Sequence, residues 1–350
     1  MMVTDLVYHE TFVKHVMSPG HPESPERLKS AMNSINGSGF LDDKLVNILT
    51  PKRAPLEELY LVHDKAYIEG IRIKSERGGG IYTGDTSVNA FTYEAALLAA
   101  GGGIEAIDRI MLEESENAFV LCRPPGHHAE YERAYGFCFI NNVAVAAKHL
   151  LEKCDVERVM IVDYDAHHGN GTQRTFYSSK DVLYVGLHQD GRTLFPGSGF
   201  PNETGAGEGE GYTVNLAMYP GAGDSSYDQA FSRVIEPITR TFCPDFILVS
   251  VGYDGHFKDP LTQLGLTTSG FAKMNSRLKK MAAVYAEGRL VCFLEGGYDL
   301  DIVGMCSLNL VQELAGVDVT LFDDRYEESE IASEYTAKLI EKIISDSPLL

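Results

Sequence analysis

The stretch Asp163-Tyr164-Asp165-Ala166-His167-His168 crowds two carboxylates and two imidazoles directly behind the apolar run Val159-Met160-Ile161-Val162. Asp165 and His167 are two residues apart, so extended backbone points both side chains to the same side. An oxygen donor and a nitrogen donor on one face make a candidate metal site. Taken alone, the stretch reads equally well as a hydrogen-bonded loop after a strand.

The rest of the chain repeats the pattern. Apolar runs at 118–122, 182–187, 246–251 and 290–294 also end in polar residues of chemical interest. They lead into Arg123-Pro124-Pro125-Gly126-His127-His128, His188, Gly252-Tyr253-Asp254 and Glu295-Gly296-Gly297-Tyr298. Core packing requires no such set, since ordinary Gly-Asn-Ser loops would serve. In open parallel sheets the ligand site lies beyond the carboxyl ends of the strands. Asp165, His167 and Asp254 would then supply three metal ligands and leave a position open for water or substrate, as catalytic zinc sites do. His127 and His128 would be bases that are not ligands, and Tyr298 a phenol donor on a flexible turn. This set suits metal-assisted hydrolysis of an amide. No G-x-S-x-G elbow is present, which disfavours a serine acyl-enzyme.

The elements that must position these residues are buried strands alternating with helices. The five apolar runs read as strands. Helical spacing of apolar residues marks 95–112, 142–153, 226–242 and 270–287. Strands alternating with helices predict a mostly parallel sheet covered on both faces. The Gly-rich stretch 197–211 reads as a long loop; it lacks the strand-to-helix context of a nucleotide fingerprint. The tail 323–350 is acidic, then amphipathic, and predicts a surface helix docked on the body.

Composition narrows the function. The 350 residues are 44% hydrophobic, a globular composition, with length for one large α/β domain or two smaller ones. Fifty acidic against thirty basic residues give a net charge of -20, which argues against nucleic-acid binding. Cys122, Cys138, Cys154, Cys243, Cys292 and Cys306 form no C-x-x-C pair, so neither a disulfide framework nor a structural zinc site is expected. No apolar run approaches the roughly 20 residues of a membrane span, and Met1-Met2-Val3-Thr4-Asp5 has no signal-peptide character. The expectation is a cytoplasmic enzyme with no membrane partner.

The motifs, taken in order, resemble the histone deacetylase superfamily, which also contains acetylpolyamine amidohydrolases and acetoin-utilisation proteins. The resemblance rests on His21-Pro22-Glu23-Ser24-Pro25-Glu26-Arg27, Arg123 to His128, Gly136-Phe137-Cys138-Phe139-Ile140-Asn141-Asn142, Asp163 to Gly171, Phe195-Pro196-Gly197, Asp254 to Pro260 and Glu295 to Tyr298. It implies one catalytic domain over 1–350 with an arginase/deacetylase-type three-layer α/β fold, a central mostly parallel sheet flanked by helices. It implies zinc on Asp165, His167 and Asp254, with ferrous iron as the alternative native metal. His128 would be the general base, His127 an electrostatic partner held by Asp163, and Tyr298 the donor to the acyl oxygen. Phe137 and Phe195 would wall an acyl-lysine channel beside Gly136, with Leu261, His21 and Asp85 near its rim. The family often holds potassium. An inner site would use backbone around Asp163, Asp165, His167 and Leu187 with the Asp163 side chain, and a peripheral one Phe176, Val182 and Tyr212.

Three positions refine the resemblance. Asn170 stands where some members carry an Asp behind the second histidine, and an Asn there resembles the class II and bacterial branch. Leu261 stands where polyamine-selective eukaryotic members carry Glu. Gly186 replaces a Ser common near the inner potassium. The implied substrates are acetyl-lysine in proteins or an acetylated polyamine or other small amine. An arginase-like ureohydrolase would want a bridging carboxylate where His256 follows Asp254-Gly255. A non-catalytic acyl-amine binding protein would be expected to lack a ligand or the tyrosine. A homo-oligomer stays open, since some bacterial relatives dimerise through a loop that closes the channel. His63, His149 and His256 receive no role beyond packing or surface.

Overall fold

The protein is described here from a computed structural model covering residues 3–39, 41 and 45–350. Met1 and Met2, part of the N-terminal stretch considered above, lie outside the described residues. The strands are β1 (Thr4–Val7), β2 (Val46–Leu49), β3 (Gly79–Thr83), β4 (Thr86–Asn89), β5 (Asn117–Val120), β6 (Val159–Asp163), β7 (Val182–Gln189), β8 (Thr213–Met218), β9 (Phe246–Val251) and β10 (Leu290–Leu294). The helices are α1 (Glu26–Gly37), α2 (Leu56–Leu59), α3 (Lys65–Glu76), α4 (Thr92–Met111), α5 (Asn142–Lys153), α6 (Asn170–Phe176), α7 (Asp224–Ala230), α8 (Glu236–Phe242), α9 (Thr268–Tyr285), α10 (Leu300–Ala315) and α11 (Glu330–Asp346).

Eight strands form one sheet in the order β2-β1-β5-β10-β9-β6-β7-β8, and every pairing in it is parallel. β5, β6, β7, β9 and β10 are buried at every position. Helices on both faces exclude water from both sides of these strands, which is why they read as unbroken apolar runs. The five strands expected from the sequence are all present. β1, β2 and β8 were not expected: β1 is only Thr-Asp-Leu-Val, edge strand β2 carries Asn47, and β8 carries Thr213 and Asn215. Within β1, Asp5 is buried against the Arg109 guanidinium at 2.8 Å.

The sheet crosses over between β5 and β6. The chain leaves β5 on one side and starts β6 on the other, and β9 and β10 later fill the gap. Open α/β sheets bind ligands at the carboxyl ends beside such a crossover. Here the carboxyl ends of β5, β10, β9 and β6 lie side by side. Two caps fix the loops that follow. The Asn141 side chain accepts from the Ala144 N–H to start α5, and Asp299 accepts from the Asp301 and Ile302 N–H groups to start α10. The Asp299 cap ends the short loop that carries Tyr298.

The helix expected over 226–242 is interrupted by a π-helical turn at Phe231–Ile235. Pro237, which has no N–H to donate, sits just after it. The acidic tail docks as expected: α11 buries Ala332, Leu339, Ile340 and Ile343 against α7 and β8. Helices α1, α3 and α10 were not read from the sequence. The hairpin β3–β4 stands apart from the main sheet and holds Asp85 in its turn. No helix among the described residues is long and apolar enough to cross a membrane.

Candidate active site

Three donor side chains meet beyond the ends of β6 and β9. Ligand atoms of Asp165, His167 and Asp254 lie within 4.8 Å of one another. His167 Nδ1 is 2.8 Å from Asp254 Oδ2 and 3.2 Å from Asp165 Oδ1. The other oxygens are held by backbone: the Gly296 N–H donates to Asp165 Oδ2 at 2.7 Å and the Ala166 N–H to Asp254 Oδ1 at 2.9 Å. Each carboxylate is thus anchored with one oxygen turned toward the imidazole. Gly296 is required there, because a Cβ on it would sit 2.4 Å from Asp254 Oδ2 and 2.5 Å from Asp165 Oδ2.

Electrostatics tests whether a cation fits. Burial and the neighbouring Asp165 push the Asp254 carboxyl up, while His127 and His167 hold Asp165 low against its own burial. Burial opposes a charge on His167, yet Asp165 and Asp254 raise it to about 10. Two buried carboxylates therefore compete for one positive partner. A divalent cation between them and a neutral imidazole would satisfy all three. The donor set fits a metal of the zinc class.

The two histidines after β5 sit in opposite environments. His127 Nδ1 lies 3.0 Å from Asp163 Oδ2. Burial works against its charge, but Asp163, Asp165 and Glu295 raise it to about 10. His128 Nδ1 lies 2.7 Å from Asn170 Oδ1, and the Asn170 amide nitrogen donates to Glu130 Oε1 at 2.9 Å. The Glu130 contact fixes which way the amide faces, so His128 Nδ1 carries the ring proton and Nε2 is left free. Burial, then His127 and His167, hold His128 well below the usual histidine range. One imidazole is poised as a cation, its neighbour as a neutral base.

These groups form the floor of a cavity of about 220 Å³ lined by Asp85, His128, Gly136, Phe137, His167, Leu194, Phe195, Leu261 and Tyr298. Phe195 packs edge-on to His128 at 5.2 Å and against Tyr135 at 4.7 Å between ring centroids. Phe137 meets Tyr298 edge-on at 6.1 Å. Phe137 is a non-glycine residue at φ +69°, a strained region that the Tyr135–Cys138 bridge and a 3.0 Å bond from its N–H to Thr86 Oγ1 hold in place. Gly136 must lack a side chain, since a Cβ would lie 2.3 Å from His128 Cδ2. Phe195 and Leu261, 39% and 38% exposed, mark the rim.

The Glu295–Tyr298 loop is clamped from beneath. The fully buried Arg27 guanidinium donates to the Glu295 and Gly297 carbonyls, each at 2.6 Å, and lies 5.1 Å from the Tyr298 ring centroid. Glu23, shared by Arg27 and Arg123, offsets one of the two buried guanidinium charges and holds both groups in place. The Asp259 carboxylate accepts from the Tyr298 and Leu261 N–H groups, tying the two loops together.

The histone deacetylase domain pattern matches residues 21–314 of this chain. A probable deacetylase of Archaeoglobus fulgidus is 43% identical over 320 residues, covering 91% of this chain and 88% of its own. The chain belongs to the histone deacetylase superfamily. The histone deacetylase-like amidohydrolase of Pseudomonas aeruginosa is 38% identical over 87% of this chain and 80% of its own. The crystal structure of the HDA15 HD domain superposes with a TM-score of 0.89 at 32% identity, covering 99% of this chain and 96% of that one. The deacetylase fold expected from the sequence is therefore present, and membership at this identity and coverage makes the protein a hydrolase.

Within this deacetylase-type domain nearly all the residues singled out from the sequence come together. Gly136, Phe137, Phe195, Leu261, Asp85, His128, His167 and Tyr298 line the cavity, with Asp165, Asp254, His127 and Asp163 packed around its floor. His21 does not line it; its ring stands 4.5 Å behind Phe137, edge-on. His188 turns away, with its nitrogens near the Gln189 carbonyl and Asn215. Sequence reasoning missed Leu194, the Arg27 clamp and the Glu130 support of Asn170. Arg27 had a signal in the charged motif from His21 to Arg27, but nothing local said that it would be buried.

Proposed function

We propose that this protein is a zinc-dependent deacylase that hydrolyses the amide of an N-acetylated or short-acylated amine such as acetyl-lysine. The observation that supports it most is the buried Asp165–His167–Asp254 donor set at the floor of a narrow, aromatic-walled cavity that also presents His128 and Tyr298. The cavity is smaller than a drug-sized ligand pocket, and suits an unbranched aliphatic stem between Phe137 and Phe195. When bound by Asp165, His167 and Asp254, the ion would supply Lewis acidity, polarising the acyl oxygen and making an attacking water more acidic.

The chain's own residues do the rest. Neutral His128, with Nδ1–H donating to Asn170 Oδ1, takes the proton of the attacking water at Nε2. Cationic His127, fixed by Asp163, stabilises the negative charge that develops on the acyl oxygen as the tetrahedral species forms. The Tyr298 hydroxyl donates to the acyl oxygen and more strongly to the tetrahedral oxyanion, held in position by Arg27 and Asp259. The proton on His128 then passes to the amine leaving group. Acetylpolyamines are the second substrate class: the net charge of -20 favours a cationic small molecule, whereas apolar Leu261 at the rim gives an ammonium group no partner.

Acetate release from acetyl-lysine peptides and from acetylated putrescine, cadaverine and spermidine, measured on metal-loaded protein, tests the proposal. Turnover of either class supports it, and the ratio of kcat/KM values assigns the branch. No release from any of them by zinc-loaded protein would overturn it for acetyl groups.

A further inference from the structure

A second cluster of metal-binding side chains lies outside the active site and shares no residue with its cavity. It joins Glu58 on α2, Asp108 on α4, His149 on α5 and Cys154, the residue that closes α5. Donor atoms of Asp108, His149 and Cys154 lie within 4.8 Å of one another. His149 Nε2 is 2.9 Å from Asp108 Oδ1. On the opposite side of the ring, Nδ1 faces Glu58 Oε1 at 3.5 Å. His149 and Glu58 are both buried, and His149 Nδ1 and Glu58 Oε2 have no hydrogen-bond partner.

A simple Asp–His ion pair does not account for this arrangement. Buried polar atoms without partners are costly, and such a pair leaves two of them beside the same ring. We propose that Asp108, His149 and Cys154 bind a second, structural divalent metal ion of the zinc class, with Glu58 as the outer partner of His149. Thiolate, imidazole and carboxylate together select zinc-like ions over magnesium or calcium. In a tetrahedral zinc site ligand atoms stand about 3.3–3.8 Å apart, so the Asp108–His149 pair, 2.9 Å apart, would open slightly to admit the ion, and all three donors already lie within 4.8 Å of one another. With the ion on Nε2, the ring proton must sit on Nδ1, and Glu58 becomes its acceptor, the usual support for a metal-bound histidine. The Asp108 side chain is 52% exposed, which gives the ion an entry path and leaves room for water as a fourth ligand. Bound there, the ion would staple α2, α4 and α5 together. The scattered cysteine spacing gave no sign of such a site because its donors come from two separate helices, Asp108 from α4 and His149 with Cys154 from the end of α5.

Cobalt(II) titration of the metal-free protein tests this independently of the catalytic proposal. The Asp165–His167–Asp254 set contains no sulfur, so a thiolate-to-cobalt charge-transfer band cannot come from it, and Cys154→Ser shows whether Cys154 is its source. The expected result is such a band in the wild type and in Asp165→Asn, and its loss in Cys154→Ser. Bound zinc should fall by one ion per chain in Cys154→Ser. Asp108→Asn, a change at an exposed position, should keep the fold and weaken cobalt binding at least tenfold. Absence of the band at saturating cobalt in the wild type overturns the proposal. So does a band that persists in Cys154→Ser, which would belong to another thiol such as the exposed Cys243.

Discussion

Replacing Tyr298 by Phe removes one oxygen atom and little else. The ring keeps its edge contact with Phe137 and its place 5.1 Å from the Arg27 guanidinium. The backbone N–H keeps its 2.8 Å bond to Asp259. Folding stability should therefore change by no more than about 0.5 kcal/mol, the usual range for a substitution that disturbs no packing. Activity should respond very differently. The hydroxyl belongs to a residue that lines a cavity walled by Phe137, Phe195 and Leu261, where little water competes for a developing oxyanion. Loss of one oxyanion donor in such a setting costs on the order of 10²–10³ in kcat, about 3–4 kcal/mol. KM should hardly move, because the aliphatic stem is gripped by the walls and not by the phenol. The assay is acetate release from an acetyl-lysine peptide by zinc-loaded wild type and Tyr298→Phe, with thermal melts alongside. A kcat within a few-fold of wild type, with an unchanged melt, would refute the assignment of Tyr298 as the oxyanion donor.

Other predictions follow from the same geometry. Chelation should abolish acetate release and added zinc restore it, while Asp254→Asn should lose roughly one bound zinc and resist rescue; rescue at equimolar zinc would exclude Asp254 as a ligand. Leu261→Glu would place a carboxylate on the rim, worth about 1 kcal/mol to an ammonium some 4 Å away in water-like surroundings. That should raise kcat/KM for acetylated polyamines roughly fivefold relative to a neutral acetyl-lysine peptide, and an unchanged ratio would show that Leu261 does not face the substrate. His63 predicts acid sensitivity. Its Nδ1–H donates to the Glu130 carbonyl and its Nε2 accepts from the Asn141 N–H, which fixes the neutral ring, and burial lowers its pKa from 6.5 to about 4. Between those values the unfolded chain binds the extra proton, so His63's contribution is full above pH 6.5 and is lost as pH falls toward 4. The slope approaches about 1.4 kcal/mol per pH unit. Urea denaturation at several pH values should show a shallower dependence in His63→Gln; identical slopes would exclude His63 as the cause.

Much of this protein is legible in its residues alone. β6, β9 and β10 are visible because strands buried on both faces must be apolar throughout, whatever they pack against. The chemistry is visible because carboxylates, imidazoles and a phenol stand immediately after those strands, where a parallel sheet has to gather them. Short strands escape this reading. β1 and β2 have four residues each with polar members, and their identity as strands comes from the neighbours that pair with them.

What the tertiary structure alone decides is the state of each group. His127 and His128 are adjacent and chemically identical in sequence, yet one is held near pKa 10 by Asp163 and the other well below 6.5 by burial among cations. Nothing local assigns these roles, because they depend on charges contributed by β6 and the loops that follow it. The Arg27 clamp, the reach of Glu130 to Asn170 and the meeting of Glu58, Asp108, His149 and Cys154 are likewise products of packing between distant segments. Residue type and order determine which chemistry is available to this chain. Burial and the field of neighbours brought in by the fold determine which atom carries the proton and which carries the charge.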